Sequence, residues 1–556
     1  MTEFNFAGSE EENAEIRKLS AELAEDPDSF DNWEKLVRAA ESIEGGLNRN
    51  SNPQAIAFTR DSYDKFLAKF PLLFGYWKKY ADLEFAIAGT EAAELVYERG
   101  VASITNSVDL WTNYCSFKVE TSHDPDIIRE LFERGSASVG LDFLAHPFWD
   151  KYLEFEERVE NRDAIFGILG RVVHIPMHQY ARYFERYRSL AQTRPIHELV
   201  PPENLQQQLA VVRAAGYTLE HDIERETRTR IDGFHLDIFQ KTQTETTKRW
   251  TYESEIKRPY FHVTDIDEAQ MANWRKYLDF EEAEGDYSRI AFLYERCLVT
   301  CALYDEFWLR FARWMIAQTG KEEEVRNIYQ RASMVYVPIA HPKIRLQYAY
   351  FEEMYDRVEV AKDIHYSVLT IIPGNIETIV SLANLCRRHG GLDAAIQVYR
   401  EQIASTETNL HTKAWLVKEW ARLLWRFKGS PDEARQIFVT NEQSYLESRA
   451  FWTAYLRFEI EQDTNADTEA LQYSRIKQVF ESIRQKSHLS PDTIQELTDE
   501  YFSYILERGT GEVAKEYMVI DREVNGPFSV RPVIKDTVTI PSKPSDDDIL
   551  HNGTTA

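Results

Sequence analysis

The stretch Trp77-Lys78-Lys79-Tyr80-Ala81-Asp82-Leu83-Glu84 sets a large apolar residue at every third position and closes on an acid. At about 100° per residue, positions 0, +3, +6 and +7 fall on one face of a helix. The spacing returns at Trp111, Tyr114 and Phe117; at Trp149, Tyr152, Phe155 and Glu156; at Trp274, Tyr277, Phe280 and Glu281; and at Trp452, Tyr455, Phe458 and Glu459. Looser copies are Trp308, Phe311, Trp314 and Arg345, Tyr348, Phe351, Glu352, and Trp33 with Leu36 reads as a degenerate first copy.

A second pattern follows the first: an aromatic, Glu-Arg and a small residue. It stands at Tyr97-Glu98-Arg99-Gly100, Phe132-Glu133-Arg134-Gly135 and Tyr294-Glu295-Arg296-Cys297, with Tyr329-Gln330-Arg331-Ala332 as a variant. The two patterns describe a pair of amphipathic helices. Neither helix can bury its stripe alone, so pairs must stack on neighbouring pairs. Trp77 to Trp111 is 34 residues, Trp111 to Trp149 is 38 and Trp274 to Trp308 is 34, room for two helices and two turns. Gly89, Gly100, Asp124-Pro125, Gly285, Gly320, Pro373-Gly374 and Gly429-Ser430-Pro431 supply breaks at fitting places.

The expected fold is therefore an all-α helical-repeat solenoid. Trp77, Tyr80, Trp111, Tyr114, Trp149, Tyr152, Trp274, Tyr277, Trp308, Trp452 and Tyr455 are its expected packing residues. Between Trp149 and Trp274 the period fails. Helices are expected over 164–173 and 180–190, then a Pro-rich break at Arg194-Pro195 and Val200-Pro201-Pro202, then one long polar helix from about Glu203 acting as a packed spacer. This divides the chain into an acidic, frayed N-terminal segment (1–27), an N-terminal array (28–190), a helical connector (191–265), a C-terminal array (266–530) and a disordered tail (531–556).

Lys+Arg 65 against Asp+Glu 92 gives a formal charge of −27. Such a surface repels polyanions at long range; its acidity reads first as a device for solubility and second as attraction to basic proteins. Lys78-Lys79, Lys257-Arg258 and Arg387-Arg388 are isolated basic pairs, too sparse for a direct RNA reader. Cys115, Cys297, Cys301 and Cys386 form no CxxC pair, so they read as core thiols in a reducing compartment. Met1–Glu12 lacks an apolar core of the signal-peptide kind, and no segment is apolar enough to span a membrane. No phosphate loop, HExxH or GxSxG is present, and His174 and His178 read as surface or core histidines. No catalytic residue, cofactor, metal or small-molecule substrate is expected.

The recurring Trp-x-x-Tyr-x-x-Leu/Phe-Glu helix followed by aromatic-Glu-Arg resembles the half-a-TPR (HAT) repeat. Phe70-Pro71-Leu72-Leu73-Phe74-Gly75-Tyr76-Trp77, Val108-Asp109-Leu110-Trp111, His178-Gln179-Tyr180, Arg258-Pro259-Tyr260-Phe261-His262 and Leu278-Asp279-Phe280-Glu281 resemble the pre-mRNA-processing factor 39 family. The resemblance implies a nuclear, non-catalytic scaffold of the U1 snRNP, supporting 5′ splice-site recognition through protein contacts with mainly indirect RNA association. A HAT scaffold of mRNA 3′-end cleavage or of the spliceosome core is the alternative. Prenyltransferase α-subunits, also helical-pair repeats, would show Asn-Tyr-x-x-Trp motifs, which this chain lacks. The resemblance further implies a homodimer or paralogue heterodimer through the C-terminal array. The last helix pair is unusually apolar for a chain end, and Tyr501, Tyr504, Ile505, Tyr517 and Ile520 are the candidate interface. Lys118 in place of the Glu, Arg345 in place of a Trp, the aliphatic run 379–385 and the Trp415–Trp425 spacing depart from the pattern.

Overall fold

A computed structural model describes residues 10–526 apart from 466 and 510; the expected disordered tail lies outside the described residues. All secondary structure among the described residues is helical, running as 26 α-helices with short 3-10 and π turns between some of them. Two compact units divide at Tyr348/Ala349. The repeat pattern divides the chain by motif, near 190 and 265, whereas backbone packing groups residues up to Tyr348 together.

In the first unit, the segment expected to fray forms a helix over Glu10–Glu25. Ile16, Leu19 and Leu23 lie three and four residues apart, so they share one face. They are buried in one cluster with Leu36, Ala40 and Phe58. The expected single connector helix is split into Pro202–Ala214 and Glu220–Glu253. Gly216 between them has φ +94, a backbone that side-chain-bearing residues rarely adopt, so the turn needs glycine. The second piece has 34 residues. It packs along Tyr180–Thr193: Phe239 lies 4.7 Å from Phe184, and Arg188 grips Asp232 at 2.8 and 2.6 Å. Arg228 donates to the carbonyls of Ala191, Gln192 and Arg194, capping the negative end of that helix.

In the second unit, aliphatic side chains replace part of the aromatic stripe. Ile379, Leu382 and Leu385 are buried on Ile376–Gly390. On Leu410–Arg426, Leu416, Val417, Ala421, Leu423 and Leu424 face the core. Trp415, Trp420 and Trp425 are displaced to half-buried positions beneath Lys418, Arg400 and Arg426. No helix among the described residues is long and apolar enough to cross a membrane.

Candidate protein-interaction surfaces

Trp77, Trp111, Trp149, Trp274, Trp308 and Trp452 are all 3% exposed or less. A buried indole N–H needs an acceptor. Trp77, Trp111, Trp308 and Trp452 donate to the carbonyls of Pro71, Thr105, Ala302 and Leu446, each six residues upstream. Trp33 makes the same bond to Pro27, which identifies it as a working first copy. Arg345 stands in the indole slot of its repeat and donates to Ser333, Val337 and Pro338 carbonyls, so the cation replaces the indole as anchor. Arg99, Arg134, Arg171, Arg296 and Arg331 lie over Trp77, Trp111, Trp149, Trp274 and Trp308 at 5.2–5.9 Å.

The aromatic of each second helix stacks on the Tyr or Phe of the next first helix. Tyr97 meets Tyr114 at 5.0 Å, Phe132 meets Tyr152 at 4.6 Å and Tyr294 meets Phe311 at 4.7 Å. The same slot is filled by Tyr63 on Tyr80, Tyr252 on Tyr277, Phe438 on Tyr455 and Phe480 on Tyr501. Sequence reasoning missed these four because the Glu-Arg after the aromatic is incomplete. Tyr252-Glu253 closes the long connector helix, whose last turn is therefore a repeat helix. The small residue of the motif has a steric cause: a Cβ on Gly135 would come within 2.6 Å of Phe148.

Two charge series bind the stack. In the outer one, an arginine of the second helix grips an acid about one repeat earlier: Arg99–Asp64, Arg134–Glu98, Arg171–Glu133 and Arg331–Glu295, at 2.7–2.9 Å. Tyr114 and Tyr152 donate to Glu98 and Glu133 as well. Arg134 and Arg171 hold the Glu98 and Glu133 carboxyls below the usual carboxylate range. Their stabilisation is present above that range and is lost as pH falls through the depressed values. These pairs are half exposed, so each contributes little.

The inner series is buried. Glu84, Glu156, Glu281 and Glu459, which close the first motif, are 4% exposed or less. Each takes a two-toothed grip from an arginine of the preceding helix: Arg60, Arg129, Arg249 and Arg435. Sequence reasoning missed these arginines, though two of them lie 24 residues before their acid. Lys118, the apparent departure, is the same pair reversed: it donates to Glu94, 24 residues upstream, at 2.6 Å. Lys118→Glu is expected to lower stability by about 1.5–3 kcal/mol, the value of a charged hydrogen bond. Glu94→Arg combined with Lys118→Glu is expected to restore most of it. Urea midpoints of the single and double variants check this.

Within the first unit, Tyr287–Thr300 lies beside the loops of the early repeats. Arg296 on this helix is buried. It holds Glu253 with both terminal nitrogens at 2.5 and 2.8 Å and Asp142 through Nε at 3.1 Å. Burial works against its charge, but Asp142 and Glu253 outweigh it and raise its pKa. Three cavities share the Asn106 loop. One of about 650 Å³ is bordered by Leu141, Phe292 and Met315, and one of about 300 Å³ by Asp109, Asp142 and Tyr260.

At the other end, Pro491–Arg508 and Val513–Asn525 form the last described helix pair. Tyr501, Tyr504, Ile505 and Ile520 are 6% exposed or less, inside the core of the second unit. Tyr501 stacks on Phe480 at 4.1 Å, and half-buried Tyr517 lies against Phe502 at 4.3 Å. The apolar side chains facing outward are Leu506, Met518 and Val519, each more than half exposed. The four cysteines are buried thiols, and no group of three potential metal ligands occurs among the described residues.

The PRP39 N-terminal HAT repeat family matches residues 17–189 and the PRP39 C-terminal HAT repeat family matches residues 247–388. Pre-mRNA-processing factor 39 of Schizosaccharomyces pombe is 51% identical over 537 residues, 94% of this chain and 88% of that protein. The Homo sapiens protein of the same name is 30% identical over 482 residues, 82% of this chain and 70% of the other. The U1 small nuclear ribonucleoprotein component PRP42 of Saccharomyces cerevisiae is 22% identical over 321 residues, 56% of this chain and 58% of that protein.

Proposed function

Because this chain belongs to the pre-mRNA-processing factor 39 family of non-catalytic HAT-repeat splicing factors, we propose that it is a protein-binding scaffold of the U1 snRNP. It acts in the nucleus and supports 5′ splice-site recognition through contacts with snRNP proteins. The observation that carries this reading is similarity to a relative named as a U1 component. The net charge of −27 supports association through proteins in preference to RNA phosphates. Capture of the tagged full chain from nuclear extract, with the bound RNA sequenced, tests it. Enrichment of U1 RNA supports the assignment. Enrichment of 3′-end cleavage factors without U1 RNA redirects it to that complex.

The same reading includes a pair of chains, identical or paralogous, joined through the C-terminal array. Leu506, Met518 and Val519 offer outward apolar surface for it, since the more deeply buried Tyr501 and Ile505 already serve the chain's own core. Light scattering of the full chain at micromolar concentration is expected to give the mass of two chains. Leu506→Glu with Met518→Glu is expected to give one. A single-chain mass for the unaltered protein removes the homodimer and leaves the paralogue pair.

A further inference from the structure

In the second unit, the helix Leu410–Arg426 reverses the charge of the chain locally. From Leu410 to Lys428 the sequence carries Lys413, Lys418, Arg422, Arg426 and Lys428 against Glu419 alone, within a chain of net charge −27. Lys413, Trp420 and Phe427 lie seven residues apart, so they follow one another along a single face in steps of about 10 Å. Two further cations reach this face from neighbouring helices. Arg400, on Leu392–Ala404, lies over the Trp420 ring at 5.3 Å, and Arg387, on Ile376–Gly390, lies over the Phe427 ring at 4.7 Å. Trp420 is half-buried, and Phe427 is 53% exposed.

These cations differ from their counterparts in the first unit. There, Arg99, Arg134, Arg171 and Arg331 lie over an indole and also grip a carboxylate. The side chains of Arg387, Arg400 and Lys413 make no hydrogen bond and no ion pair among the described residues. The acids of Leu392–Ala404 do not supply one: Glu401 accepts from Gln397, and Asp393 stands in the first turn, about two turns from Arg400. The Nε of Arg387 is enclosed and unpaired, so its terminal nitrogens are the donors left for a partner.

We propose that this face binds an acidic, extended segment of a partner protein, whose carboxylates meet Lys413, Arg400 and Arg387 in turn. Every third residue of an extended chain advances about 10 Å, which matches the spacing along the helix. An apolar side chain between two acids would rest on the exposed part of Phe427. A guanidinium stacked on a ring is already oriented and offers paired N–H groups to a carboxylate, so little ordering is required on binding. Nucleic acid suits the face less well. A base needs an open ring to stack on, whereas Arg400 and Arg387 already lie over Trp420 and Phe427.

The inference deepens the protein-scaffold reading, but its test needs no ribonucleoprotein, so the two can fail separately. The probe is the fluorescein-labelled peptide Glu-Leu-Gly-Glu-Leu-Gly-Glu, titrated with the full-length chain and followed by fluorescence anisotropy. Saturable binding is expected, at least tenfold weaker when Gln replaces each Glu of the peptide and at least tenfold weaker in Arg387→Gln with Arg400→Gln. The charge-swapped pair, Arg387→Glu with Arg400→Glu, is expected to bind the peptide carrying Lys in place of Glu, which a merely structural role for the arginines would not produce. Far-UV circular dichroism establishes that the variants are folded. No binding of the acidic peptide, equal binding of its Gln form, or unchanged binding by the folded Gln variant would overturn the proposal. So would tighter binding of a uridine decanucleotide at physiological salt that the Gln variant loses, which would give the face to nucleic acid. A tenfold rise in peptide affinity on changing Asp546, Asp547 and Asp548 together to Asn would give it to this chain's own acidic stretch, and would equally overturn a partner protein as occupant.

Discussion

Trp149→Ala is expected to destabilise the first unit by about 3–5 kcal/mol, the usual cost of truncating a fully buried large aromatic. Trp149 is 2% exposed and its indole N–H donates to the Gly140 carbonyl at 3.2 Å. Truncation removes the ring from between neighbouring helices, strips Arg171 of its aromatic platform and leaves that carbonyl without its donor. Because each repeat is stabilised chiefly by its neighbours, protease sensitivity should appear first around His146–Arg158 and Arg162–Val172. Limited proteolysis with mass spectrometry, run beside a urea melt, reads both effects. Unchanged midpoint and cleavage pattern would refute the packing role assigned to this tryptophan.

Arg296→Met is expected to cost a similar amount, about 3–5 kcal/mol, for a different reason. Asp142 and Glu253 have side chains only 7% and 4% exposed, and Arg296 is the one cation in ion-pair contact with either among the described residues. Removing one member of a buried ionic group leaves uncompensated charge, which costs far more than the intact group contributes. Adding Asp142→Leu to Arg296→Met removes one of the stranded charges and is expected to recover part of the loss. The urea midpoints of the single and double variants measure this. A midpoint for Arg296→Met equal to that of the unaltered chain would show that water reaches the group and that it does not lock the early repeats to Tyr287–Thr300.

The all-helical fold was legible because the aromatic stripe repeats with helical spacing, and a stripe such as Trp77-Tyr80-Leu83 has one economical solution. The partners of that stripe were harder to see. Arg60, Arg129, Arg249 and Arg435 come from the preceding helix, 24 to 32 residues from their acids, so no local pattern marks them. Lys118 looked like a defect because a motif records residue types, whereas the structure requires only opposite charges across the helix pair. The Ile16-Leu19-Leu23 stripe was present in the sequence but lay hidden among acids. At the chain end, apolar content did not separate core from surface: Tyr501 and Ile505 face inward while Leu506, one residue on, faces outward. Composition cannot resolve a difference of about 100° on a helix.

On the proposed function, this scaffold is expected to reach the U1 particle through proteins and not through RNA phosphates. The most direct measurement is the affinity of the full chain for purified U1 snRNP and for naked U1 RNA, each across a salt series. A complex held by phosphate contacts weakens steeply with salt, by a log–log slope of about −0.7 per single-stranded phosphate neutralised. Tight binding to the particle with a shallow slope is expected, together with weak, salt-sensitive binding to the naked RNA. Equal affinity for the two, with the same steep slope at physiological salt, would contradict it.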